Sequence, residues 1–92
     1  MPSYLVETYL ARGQAGQLAG REQQARSAAE ELTHGRRRVC FDRSIHVPED
    51  EICFFVFDAP SCQDAQLVAE RAGLDPIRVV EAVSPPRLKE DR

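Results

Sequence analysis

The sequence predicts an α+β fold with the order strand, helix, strand, strand, helix, strand, and three observations carry that expectation. Four short segments rich in β-branched and aromatic residues occur in that order with two segments of helical spacing between them. The third strand-like segment, Glu51 to Asp58, is apolar in both phases, so both faces of its sheet need cover. The chain has 92 residues, enough for one core and too few for two.

The elements follow in order. Ser3 to Leu10 carries Tyr, Val and Thr between Pro2 and the region of Gly13, which predicts a first strand. From about Gln14 to Thr33, Leu18, Ala25, Ala28, Ala29 and Leu32 recur among Gln, Glu and Arg, the spacing of an amphipathic helix with a thin, alanine-rich face. Gly35 stands at the expected C-cap, and His34 is a favourable residue for the last turn. Val39 to Val47 is a second strand, with Val39, Phe41, Ile45 and Val47 in one phase. Pro48-Glu49-Asp50 turns the chain into the third strand, which Ala59-Pro60 ends. Ser61-Cys62-Gln63-Asp64 has the form of a capping box with Asp in place of Glu and opens a second helix, with Leu67, Val68 and Ala72 apolar and Gly73 as its stop. Val79 to Val83 is the fourth strand.

Right-handed crossovers convert this order into a ferredoxin-like βαββαβ fold, an antiparallel sheet of order 4-1-3-2 with two helices on one face. A single domain over residues 1–84 is expected, followed by a charged, flexible tail at 85–92. Two helices cover one sheet face only. Because Phe54, Phe55, Val56 and Phe57 make the third strand apolar on both, a second copy of the chain is the expected cover, as in a dimeric α+β barrel.

A formal charge of −3 and a pI near 5.3 argue against a nucleic-acid binder held by bulk electrostatics. Arg36-Arg37-Arg38 is an isolated basic cluster in a loop and reads as solvated. Phe54-Phe55-Val56-Phe57 faintly echoes the aromatic motif of RNA-recognition sheets, but the Lys/Arg-Gly opening is replaced by Glu51-Ile52-Cys53. No apolar run approaches the ~20 residues of a membrane span, and the N-terminus lacks the pattern of a secretory signal, so a cytoplasmic protein is expected. Cys40, Cys53 and Cys62 match no zinc spacing and read as free thiols, foremost as small buried hydrophobes.

Glu7, Arg43 and Glu81 fall in the middle of three strands, and strands one and four are neighbours in the expected sheet. Three readings stay open: a structural ion pair or rim charges, a ligand or metal site, or catalysis. Asp42 and His46 share a strand phase but lie ~13 Å apart, too far for one metal ion, so His46 could ligate only with donors from other strands or another copy. Glu7, Glu81 and His46 are the metal-ligand candidates. Glycine-rich phosphate loops, nucleophile elbows and HExxH are absent from the sequence.

Tyr4-Leu5-Val6-Glu7, Arg43-Ser44, Asp58-Ala59-Pro60-Ser61, Ala69-Glu70-Arg71-Ala72-Gly73-Leu74 and Val79-Val80-Glu81-Ala82-Val83 together carry a likeness across residues 3–83. The chain resembles a family of small actinobacterial proteins typified by a nickel-binding, nickel-responsive protein with a dimeric ferredoxin-like fold. The resemblance implies the fold, a homodimer, and nickel or another divalent transition metal as ligand. Relatives often have His where this chain has Arg43, and some have Cys where it has Phe55; a guanidinium cannot ligate a metal as an imidazole does. The resemblance turns Arg43 towards the dimer cavity with Phe41 and Ile45, where a carboxylate partner, Glu7 or Glu81, is expected. The cavity candidates are thus Glu7, Phe41, Arg43, Phe55 and Glu81. The expected function is a small ligand-binding protein of the nickel-binding type; the alternative is a cofactor-independent monooxygenase, isomerase or cyclase acting in that cavity.

Overall fold

The computed structural model describes residues 1–83, and its elements follow the expected order. They are β1 (Ser3–Tyr9), α1 (Leu18–His34), β2 (Cys40–Val47), β3 (Ile52–Asp58), α2 (Cys62–Arg71) and β4 (Arg78–Ala82). The sheet runs β2-β3-β1-β4 with all neighbours antiparallel, so the fold is ferredoxin-like. The expected tail at 85–92 lies outside the described residues.

The core lies between the sheet and the two helices. Val6, Thr8 and Leu10 from the first strand region meet Cys53, Phe55 and Phe57 of β3, all with no measurable exposure. Over them lie Ala25, Ala28, Ala29 and Leu32 of α1 and Ala65, Val68 and Ala69 of α2. Alanine faces let a helix sit close above large aromatic side chains, which is how so thin an apolar stripe closes a core. Thr8 brings a hydroxyl into this interior and satisfies it by donating to the Cys53 carbonyl at 2.8 Å.

The first helix begins later than its composition suggests. Residues Arg12–Gln17 form a 3-10 segment, broken at Gln14, before α1 starts at Leu18. Gly13 and Gly16 weaken helix there, consistent with glycine's conformational cost. The second helix opens as expected: the Ser61 hydroxyl accepts from the Asp64 amide at 3.2 Å, and Arg37 reaches Asp64 at 2.7 Å from the loop after α1.

Both helices end in the same hydrogen-bond pattern. After α2, Gly73 takes φ +72°, its amide bonds to Glu70, and the Leu74 amide bonds to Ala69. After α1, the Arg36 amide bonds to Thr33 and the Arg37 amide to Leu32. The left-handed residue there is Arg36 at φ 74°, one position beyond the Gly35 expected to fill that role.

Candidate functional site

The strand registers settle which side chains share the helix-free face of the sheet. Across it, Arg43, Val56, Leu5 and Val80 form one row, and Ile45, Phe54, Glu7 and Arg78 form the next. Val47, Ile52 and Tyr9 continue below, while Cys40, Asp58, Ser3 and Ala82 close the other end. The face is thus apolar over Leu5, Val56, Val80, Phe54 and Ile45, with Glu7 on the inner strand β1 as the charge within it and polar groups at its margins. Ser3 donates to Asp58 at 2.7 Å at one end, and Arg78 binds Glu7 at 2.8 Å at the side. Tyr9 remains 57% exposed and Ile45 39% exposed.

A bulge in β2 changes the expected placement of the cavity residues. Register shifts between Phe41 and Arg43, so Phe41 lies opposite Phe57 on the helix side while Arg43 and Ile45 lie on the open face. Phe41 packs at 5.4 Å from the Phe57 ring and 6.2 Å from Phe55, which is itself wholly buried beneath the helices. Neither aromatic lines the open face, contrary to expectation. Arg43 does face that side, yet its carboxylate partner is Asp42, at 2.7 Å, rather than Glu7 or Glu81. On an edge strand the guanidinium reaches its bulged neighbour more readily than it crosses β3.

Glu7 and Glu81 do sit on adjacent strands, but on opposite faces. Glu7 pairs in register with Arg78, and Glu81 with Tyr4, whose side chain points under the helices. Burial and then the Glu81 charge push the Tyr4 phenol above its ordinary value. His46 also faces the helices, opposite the buried Cys53, and its Nε2 has no hydrogen-bond partner among the described residues. Nearby, the Ser44 hydroxyl donates to Glu22 of α1. Glu7, Glu81 and His46 thus cannot meet at one metal ion within a chain. Among the described residues, no cluster of three or more His, Cys, Asp or Glu side chains has the geometry to hold one. Burial raises the Cys53 thiol, with Arg21 opposing and Glu22 adding to the rise. Cys40 and Cys62 are exposed thiols, not the buried hydrophobes expected of them.

A second concave feature lies where α1 meets the outer edge of the sheet. A cavity of about 330 Å³ opens between them, with Ala29, Val39 and Phe41 as its apolar lining and Arg26, Glu30, His34 and Cys40 about its mouth. The Arg26 guanidinium carbon stands 5.3 Å from the centre of the Phe41 ring. The Thr33 hydroxyl at its wall is already engaged, donating to the Val39 carbonyl at 2.9 Å.

Sequence reasoning missed Arg78 and Arg26. The signal for Arg78 was the antiparallel pairing of β1 with β4, which places it beside Glu7 once the register is known. Arg26 lies one residue after the buried Ala25, and only the inward turn of Phe41 makes a cleft beneath it.

A solved structure shares the fold. SCO4226 from Streptomyces coelicolor A3(2), known from a crystal structure, superposes with a TM-score of 0.74 over 91% of this chain and 99% of that one. Identity is 18%. That likeness shows the fold and nothing finer. No family model matches the chain, and no curated protein does. Among the described residues, no helix is long and apolar enough to cross a membrane.

Proposed function

We propose that the protein is a homodimeric ligand-binding protein in which the helix-free sheet faces of two copies pack together. The observation that carries this reading is the open face itself: Leu5, Ile45, Phe54, Val56 and Val80 are contiguous, with Glu7, paired to Arg78, as the one charge inside the face and the other charged groups at its margins. An apolar centre within a polar rim is the anatomy of a protein interface. A two-fold axis through this face makes the patch complementary to its own copy, and the alternation of Val and Leu with Phe suits interdigitation.

The test is the oligomeric state. Sedimentation equilibrium at protein concentrations on the order of tens of micromolar is expected to return a dimer, and Phe54→Asp a folded monomer. A wild-type monomer under those conditions overturns the reading.

Nickel or another divalent transition metal enters this reading only as a ligand shared between the two copies. Within one chain Glu7 is held by Arg78, so the carboxylate nearest the interface is already neutralised. Equilibrium dialysis against a panel of divalent metals is expected to show weak nickel retention by the wild type, and stronger retention after Arg78→Ala frees Glu7. Tight wild-type binding that survives Glu7→Gln would place the metal away from this face.

A further inference from the structure

We infer that the cleft between α1 and β2 binds a small carboxylate carrying an apolar ring or branched chain. The inference rests on the ligand-binding reading above and is independent of the dimer, because the cleft's lining, Cys40 apart, belongs to α1 and the helix side of the sheet, away from the proposed interface.

Three features of the cleft define its ligand. Its volume, about 330 Å³, suits a molecule the size of a single substituted ring. Its lining, Ala29, Val39 and Phe41, is apolar, and Phe41 continues into the aromatic core through Phe55 and Phe57, so the floor is a fixed surface. Its one permanently cationic lining residue is Arg26. That guanidinium lies over the Phe41 ring and has no carboxylate within salt-bridge distance among the described residues, whereas Arg37, Arg43, Arg71 and Arg78 each have one. Stacking on an aromatic ring restricts the long side chain and holds the guanidinium at the cleft, which lowers the entropy lost when an anion docks.

Glu30 orients the ligand. It stands one helical turn beyond Arg26 at the same mouth, without an ion-pair partner among the described residues. A carboxylate is drawn to Arg26 and repelled from the Glu30 end, so the apolar body lies against Phe41, the apolar lining residue that keeps surface open to the cleft, with Ala29 and Val39 behind it. A neutral ligand of the same shape keeps the apolar contacts and loses the charge-assisted hydrogen bonds.

The experiment uses the full chain and phenylacetate as probe, read by amide chemical shifts. Saturable shifts are expected at residues 26–34 and 39–41. Phenylacetamide, which has the same shape without the charge, and Arg26→Gln with phenylacetate should each bind about tenfold more weakly or worse. Glu30→Gln should bind phenylacetate at least as tightly as the wild type. Absence of saturable shifts, equal binding of the amide, or a loss in Glu30→Gln matching that in Arg26→Gln overturns the inference. Phe54→Asp, expected to be monomeric, should retain the cleft's affinity, so failure of the dimer and failure of the cleft give different results.

Discussion

Cys53, Cys40 and Cys62 show how one residue type divides by environment. Cys53 lies under the helices with its thiol raised by burial, while the other two reach solvent. With a thiol-specific reagent near neutral pH, two groups per chain are expected to react quickly and the third only after denaturation; three fast thiols would contradict the placement of Cys53. The same burial gives an alkaline dependence of stability. A thiol with a raised folded-state pKa holds its proton longer in the native state than in the unfolded chain. Its contribution is therefore complete below the unfolded thiol value of about 8.5 and is lost as pH rises through the higher folded value. Tyr4, raised by burial and by Glu81, adds to the loss at higher pH in the same direction. Thermal unfolding measured from pH 7 upward is expected to show stability falling in the alkaline range, with a shallower fall in Cys53→Ala. An unchanged slope in that variant would assign the dependence to other groups.

Between elements, the two helix ends pose the same geometric demand with different residues. Gly73 meets it at no steric cost, and a Cβ added there would find nothing within 4 Å, so Gly73→Ala tests backbone strain alone. Arg36 meets it with a side chain in the left-handed region, at a cost of about 1 kcal/mol. We expect Gly73→Ala to destabilise and Arg36→Gly to stabilise, each by about 1 kcal/mol in denaturant unfolding. Removal of the α2 cap by Ser61→Ala should cost about 0.5–2 kcal/mol. These ends also show how far local sequence could be read. Strand and helix order, the Ser61 cap and the Gly73 stop follow from residue chemistry within a few positions, and all were legible. The bulge at Asp42 was not, because alternation of Phe41, Arg43 and Ile45 fits a regular strand equally well. That single inserted residue turned Phe41 inward, made the α1–β2 cleft and removed Phe41 from the face where a cavity was expected. Likewise, Glu7 and Glu81 could be placed on neighbouring strands from topology, but their faces depend on register, which pairs Glu7 with Arg78.

At the scale of the whole molecule, the fold covers only one face of its sheet, and this links folding to association. A two-layer domain of this length buries a modest core, here built largely from alanines over two phenylalanines, and leaves Leu5, Phe54 and Val80 only partly buried. If two copies bury that face together, the dimer binds native chains and not unfolded ones, so unfolding must first be drawn away from association. The midpoint temperature should then rise with protein concentration, by an amount set by the logarithm of concentration over the dimer dissociation constant. Phe54→Asp separates this from other causes. Its side chain is on the open face, opposite Ile45 and Glu7, so the substitution leaves the helix-side core untouched while placing a charge in the middle of the apolar patch. The variant should keep its secondary structure, melt at a lower temperature than the wild type, and show no dependence on concentration. Calorimetry over a hundredfold range of concentration makes the comparison. A wild-type midpoint that does not move, in protein that sediments as a dimer, would mean that association adds nothing to the stability of the fold and that the apolar face is tolerated bare.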